Sequence, residues 1–256
     1  MSRTKQIHDS FKQSELFLDD IITNYDTKGE DFGNQDRNSL KLFRLEDKTL
    51  NVKSFRVPNF INQIAYRFFR KSKAQRSFEY GKRLQSLDIG TPQPVAYYEF
   101  KTPFLFKKSF YISEQLNCEL TYRELTTDFE YPNYEDILRA FTRFTYRLHK
   151  KEIHFLDHSP GNTLIRKIGE DYHFYLVDLN RMEFKALDFD TRIKNFSKLT
   201  THKFMVEIMS DEYAKSSGEN YTAVFNLMWK YTEEFQDRYH RKKRFKNKIL
   251  FWRSSK

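Results

Sequence analysis

The apolar residues of this chain change their period part-way along, and that change limits what the chain can fold into. Before residue 113 they mostly alternate. In Leu50-Asn-Val-Lys-Ser-Phe-Arg-Val, Leu50 and Val52 alternate with Asn51 and Lys53, after which Phe55 and Val57 share the parity of Lys53. Lys53 therefore either faces an apolar side or sits beside a bulge. Beyond residue 132 the spacing is helical, as in Ile137, Phe141, Phe144 and Leu148. A strand-rich part followed by a helical part is an α+β chain. Its 256 residues suffice for a large core, and 26 Phe with 16 Tyr exclude a disordered chain. The single cysteine, Cys118, excludes an internal disulfide framework and a cysteine-rich zinc site, and it fits a reducing compartment. The chain has no apolar run long enough to span a bilayer and no signal-peptide pattern at residues 1–8.

Local signals order the elements. Residues 1–28 show no clear period. Strands are expected over 39–44 and 49–57 with a turn at 46–48. Pro58-Asn59 opens a short helix with Phe60, Ile64 and Phe68 four residues apart. Ser72-Lys-Ala-Gln75 is a capping-box pattern that starts a helix to about Leu87, with Ala74, Phe78, Gly81 and Leu84 on its buried stripe. Strands are expected near 95–100 and 104–112, then a connector over 113–120 and a helix from about 133 to 151. A loop over 154–162 precedes two strands, 163–168 and 172–177, joined at Gly169-Glu-Asp. The remainder reads as helical, with a start at Asp188 and apolar spacing over 196–210 and 223–235. The predicted organisation is a small sheet-rich lobe at 1–113, a helical lobe at 114–237 and a basic tail at 238–256.

The chemistry lies in His154-Phe-Leu-Asp157-His-Ser-Pro-Gly-Asn162, followed by a hairpin ending in Asp178. Phosphoryl transfer from a nucleotide uses a loop Asp to orient the attacking hydroxyl. An Asn five residues on helps to hold a metal ion, and an Asp after the next hairpin bridges metal and phosphates. Asp157, Asn162 and Asp178 have those types in that order. The same chemistry requires a strand lysine for the α/β-phosphates and a helix glutamate to pair with it; Lys53 and Glu79 answer to these positions. His154 and His158 read as hydrogen-bonding residues, because no second His or Cys pair offers zinc spacing.

With these residues in place the sequence resembles the bacterial lipopolysaccharide core kinases, which phosphorylate Kdo or heptose and share the protein-kinase-like fold. The resemblance runs through Asn51-Val-Lys53-Ser-Phe, Ser72-Lys-Ala-Gln-Arg-Ser-Phe-Glu79-Tyr, Gly90-Thr-Pro-Gln-Pro-Val-Ala, Asp157-His-Ser-Pro-Gly-Asn162 and Val177-Asp178-Leu-Asn-Arg181, from about residue 29 to 185. It implies a two-lobed fold with a β-rich N-lobe and a helical C-lobe, ATP with Mg²⁺ (or Mn²⁺), and a sugar hydroxyl of the lipopolysaccharide inner core as acceptor. By position it implies Asp157 as catalytic base, Lys53 and Glu79 at the nucleotide, and Asn162 and Asp178 at the metal. It also implies a lipid-linked glycan substrate and a cytoplasmic protein at the inner face of the inner membrane. The chain departs from the kinase pattern in four places. His154 stands three residues before Asp157, and no Arg immediately precedes Asp157. Asp178-Leu-Asn replaces Asp-Phe-Gly. The phosphate-covering region has only Gly29 and Gly33, leaving Asn34, Arg37 or Asn38 to assist.

No Ala-Pro-Glu follows Asp178, which leaves little room for a peptide-binding segment and favours a glycan over a protein acceptor. A protein Ser/Thr kinase of the same fold and a non-catalytic kinase-like binding module are the alternatives. Nine basic residues and no acid between 238 and 256 carry nine of the ten net positive charges, so the body is near neutral. A nucleic-acid partner, which calls for a basic face on the fold itself, is not expected. Within this tail Ile249-Leu-Phe-Trp252 is an apolar cluster suited to peripheral contact with anionic headgroups.

Overall fold

The computed structural model describes residues 2–33 and 38–254, with the side chains of residues 246 and 248–254 outside the description. Asn34, Arg37 and the side chains of the 249–252 cluster therefore lie outside the described residues. The chain divides into two compact units, Met1–Asn117 with Tyr175–Arg181, and Cys118–Phe174 with Met182–Lys256.

The first unit contains β1 (Ser2–Ile7), α1 (Glu15–Thr23), β2 (Glu30–Asp31), β3 (Asn38–Leu45), β4 (Lys48–Phe55), α2 (Phe60–Phe68), α3 (Lys73–Ser86), β5 (Pro94–Lys101) and β6 (Phe106–Glu114). Its antiparallel sheet has the order β1-β5-β6-β4-β3-β2. The parity change at Lys53 involves no bulge. β4 pairs in unbroken register with β3 and β6, Lys53 standing opposite Leu40 and Tyr111. The strand is instead covered on both faces. Leu50 and Val52 join a core with Leu18, Ile21 and Ile22 of α1, while Phe55 packs with Ala74 and Phe78 of α3 and with Tyr97. α3 begins where its cap predicts, Ser72 Oγ accepting from the Gln75 N–H at 3.1 Å. β1 and α1 occupy the stretch where the sequence shows no period. β1 is a polar, mostly exposed edge strand, and α1 buries only Leu18, Ile21 and Ile22. Gly29 has φ +84°, and a Cβ there would come within 2.5 Å of the Phe43 ring, so this glycine serves close packing.

The second unit contains β7 (Leu120–Thr121), α4 (Tyr134–Lys150), β8 (Ile153–Phe155), β9 (Thr163–Ile168), β10 (Asp171–Leu176), β11 (Met182–Phe184), α5 (Phe189–Lys194), α6 (Lys203–Ser217) and α7 (Tyr221–Ser254), β10 running into the first unit at Tyr175. Ile137, Phe141, Phe144 and Leu148 of α4 are buried as their spacing predicts, with Tyr122 stacked 4.2 Å from Phe141. Helix α6 starts at Lys203, later than expected. Phe196 and Leu199 bury from turns instead, since apolar residues three apart fit a turn as well as a helix. Helix α7 outruns its expected end and continues into the basic run, which lacks Gly and Pro and is rich in helix-favouring Lys and Arg.

Candidate active site

Strand β4 presents Lys53 on the face it shares with Phe55, whose ring lies 5.4 Å from the ammonium. The lysine is 16% exposed, and Nζ donates to Asp178 Oδ1 at 2.7 Å across 125 residues of sequence. The first unit itself makes this pair, because the segment Tyr175–Arg181 belongs to it. Three contacts fix that segment. The Leu176 N–H donates to Gly90 O at 2.9 Å, and Thr91 Oγ1 donates to Leu176 O at 2.9 Å. Leu179 approaches Gly81, where a Cβ would come 3.5 Å from Leu179 and 2.6 Å from Pro94. Asp178 has φ +57°, a conformation a non-glycine residue keeps only where its surroundings hold it. Its carboxylate accepts from Asn180 Nδ2 at 2.7 Å as well as from Lys53.

Glu79 is held elsewhere. Its carboxylate accepts from Lys71 Nζ at 2.7 Å and from Gln75 Nε2 at 3.0 Å. The Lys53–Glu79 pair expected from the sequence is thus replaced by Lys53–Asp178 and Lys71–Glu79. Lys71, one residue before the cap of α3, reaches Glu79 along the helix, whereas Lys53 meets the carboxylate that the Tyr175–Arg181 segment brings to β4.

In the second unit Asp157 and Asn162 share one loop. Asn162 Nδ2 donates to the Asp157 carbonyl at 2.8 Å, which leaves the amide oxygen as its side-chain acceptor, able to ligate a cation. The two preceding carbonyls are held as well. Lys198 Nζ donates to Leu156 O at 2.6 Å, and Asn195 Nδ2 donates to Phe155 O at 2.9 Å. Asn195 Oδ1 accepts from His149 Nε2 at 3.2 Å, and the Tyr213 hydroxyl donates to His149 Nδ1 at 3.0 Å. His158, next to Asp157, is fully buried and stacks on Phe141 at 5.3 Å. Thr145 Oγ1 donates to Phe141 O, so it accepts from His158 Nε2 at 3.1 Å and assigns the ring proton to Nε2. Burial pushes the His158 pKa down to about 3 and that of His149 to about 4, and both rings are neutral. The loop's main chain is thereby tied to a buried interior by neutral side chains and by the Lys198 ammonium. Thr91, Thr145, His149, Asn195 and Lys198 carry these contacts without any motif of their own. Gly90-Thr91 alone appears in the stretches that resemble the family.

Residues 41–226 match the model of the lipopolysaccharide kinase (Kdo/WaaP) family. The chain belongs to this family. A search of curated protein sequences finds no match. Among solved structures, "WaaP in complex with acyl carrier protein" aligns with a TM-score of 0.63 and 14% identity, covering 90% of this chain and 98% of that one. That likeness establishes the kinase-like fold. A member of the lipopolysaccharide kinase family is a phosphotransferase acting on a sugar hydroxyl of the lipopolysaccharide core, and it uses ATP, typically with a divalent metal. Among the described residues no helix is long and apolar enough to cross a membrane.

Proposed function

We propose that Lys53, Asp178, Asp157 and Asn162 perform the phosphoryl transfer, with Glu79 as the second partner of Lys53, and that the acceptor is a hydroxyl of a lipid-linked inner-core glycan. The observation that supports this most is the Lys53–Asp178 pair at 2.7 Å, a strand lysine meeting the carboxylate that follows the hairpin. Lys53 offers a positive point charge to the α/β-phosphates. Asp178 and Asn162 offer hard oxygen donors, which suit Mg²⁺ or Mn²⁺. Among the described residues no group of three or more His, Cys, Asp or Glu is arranged to hold a metal. Asp178 and Asn162 would hold such a cation. Bound there, such a cation neutralises charge on the bridging phosphate oxygens.

The residues of the chain do the rest. Asp157 orients the sugar hydroxyl for in-line attack on the γ-phosphorus and accepts its proton as the new O–P bond forms and the bond to the ADP oxygen breaks. The fixed carbonyls of residues 155–157 keep that carboxylate from wandering. With Asp178 and Asn162 holding the cation, Glu79 would then be the α3 carboxylate that pairs with the Lys53 ammonium. Mass spectrometry of inner-core glycolipid incubated with the protein, ATP and Mg²⁺ tests the reading. The expected product gains one phosphate, and Asp157→Asn abolishes the gain while still binding ATP. Unmodified glycolipid with wild-type protein, or full transfer by Asp157→Asn, would refute it.

A further inference from the structure

Helix α2 is inside out. Its apolar residues Ile61, Ala65 and Phe68 stand at i, i+4 and i+7 on one face. The opposite face is held by the preceding loop, the β5–β6 turn and Phe106 of β6, mostly through polar contacts. Gln63 Nε2 donates to Pro58 O at 3.0 Å, Tyr66 lies 5.6 Å from the Phe106 ring, and Arg67 Nε donates to Thr102 O at 3.1 Å and Pro103 O at 3.2 Å. None of the nine residues of α2 is buried. Phe60, Ile61, Phe68 and Phe69 are 62, 77, 53 and 81% exposed, and Phe104, in the β5–β6 turn that Arg67 grips, is 74% exposed. Isolated exposed hydrophobics need no explanation, but five large ones on one helix and its neighbouring turn do.

The charge around this face is predominantly positive, Glu79 being engaged by Lys71. From Arg56 to Phe78 the chain carries Arg56, Arg67, Arg70, Lys71, Lys73 and Arg76 and no acid. Arg56, Arg70, Lys71 and Lys73 are exposed. Two copies of such a face repel each other, so it is not suited to self-association. A short helix projecting aromatic and aliphatic side chains, ringed by cations, has the make-up of an interfacial element. The apolar groups enter the acyl boundary while the cations meet lipid phosphates. On the function proposed above the acceptor is lipid-borne, which would bring the enzyme to such a surface.

We propose that the outer face of α2, with Phe69 and Phe104, docks the first unit on an anionic lipid bilayer. This goes beyond the assignment of catalytic roles, and it names a surface other than the basic tail.

The full-length chain is mixed with vesicles of phosphatidylglycerol and phosphatidylcholine, or of phosphatidylcholine alone, and bound protein is read by flotation. Wild type binds the anionic vesicles. Ile61→Asp/Phe68→Asp/Phe69→Asp weakens that binding at least about tenfold, and Arg70→Gln/Lys73→Gln weakens it about threefold with a flatter salt dependence. Lys242→Glu/Lys243→Glu/Arg244→Glu in α7 retains most of it. Phosphate transfer to detergent-dispersed acceptor stays at the wild-type rate in the α2 variants, and transfer to vesicle-embedded acceptor falls with binding. Thermal melting confirms that these variants fold. Should the triple α2 variant float like wild type, or should only the α7 variant lose binding, the proposal is overturned. Dimerisation that the α2 variant abolishes, with flotation unchanged, overturns it as well. Loss of transfer to dispersed acceptor in the wild type would instead count against the catalytic assignments and leave flotation as the measure of the docking surface.

Discussion

The two halves of the proposed machinery are held in place by different forces. In the first unit a charge positions a charge near solvent. Lys53, 16% exposed, sits on Asp178, 35% exposed. In the second unit the Asp157 loop is tied down mostly by neutral groups in the interior, Thr145, His149, Asn195 and His158, with Lys198 on the Leu156 carbonyl. A partly exposed ion pair contributes little to stability and can exchange partners. A buried hydrogen-bond network is costly to break and keeps one geometry, even with His158 Nδ1 left unpaired. The ion pair that the proposal exchanges during turnover is thus the loosely held one, and the loop that it needs aimed is held firmly.

Removing the charge that the first unit offers to the metal should give the largest effect. Asp178→Ala is expected to lower kcat by about 10³-fold or more, because a group acting on the reacting phosphates is lost. Stability to thermal unfolding should fall by about 1–3 kcal/mol, since a lysine only 16% exposed loses a partner and alanine takes a positive φ. A loss well beyond that would mean that the Lys53–Asp178 pair is structural, and the contrast between the halves would fail. Lys53→Met comes next, with kcat/KM for ATP down about 10²-fold and the rise in KM for ATP exceeding that for the acceptor. Initial-rate kinetics at varied ATP separate the two.

Part of this contrast is legible in the sequence. Asp157, Asn162 and Asp178 stand out because their types, order and intervening hairpin are local and chemical. Lys53 stands out because a lysine in a half-buried strand demands a partner. Which partner it takes is not local. Asp178 wins over Glu79 because Thr91, Gly90 and Gly81 seat a segment 125 residues away against the sheet, and no window of sequence contains that fact. The Ser72 cap and the α4 stripe announce their helices, whereas the edge strand β1 and the three buried residues of α1 fall below what periodicity reveals. The neutral network behind the loop is the least visible part, since His149 and Asn195 acquire meaning only from what surrounds them.

That network sets a pH response for the second unit. His149 and His158 have folded pKa values of about 4 and about 3, below the usual value for unfolded histidine. Below about pH 6.5 the unfolded chain binds protons that the folded chain refuses, so stability is complete above that pH and falls as pH drops toward the folded values. Between pH 7 and 5.5 the loss should be about 2 kcal/mol for the two rings together. Urea unfolding across that range measures it, and replacing His149 with Gln should remove about half of the slope. A midpoint that does not move with pH would mean that the loop is not held in a buried interior.

The smallest effect tests whether the loosely held half exchanges its partners. In the structure Glu79 sits on Lys71, which is 58% exposed, so the pair is worth less than about 1 kcal/mol and Glu79→Gln should melt like wild type. If Glu79 takes Lys53 during turnover, Glu79→Gln lowers kcat about threefold to tenfold. Lys71→Ala, which frees Glu79 from its resting partner, then leaves kcat unchanged or slightly raised. If Glu79 stays on Lys71 throughout, the two variants lose the same interaction and must behave alike. Steady-state rates of the pair decide between an ammonium handed from Asp178 to Glu79 and a surface ion pair that never leaves α3.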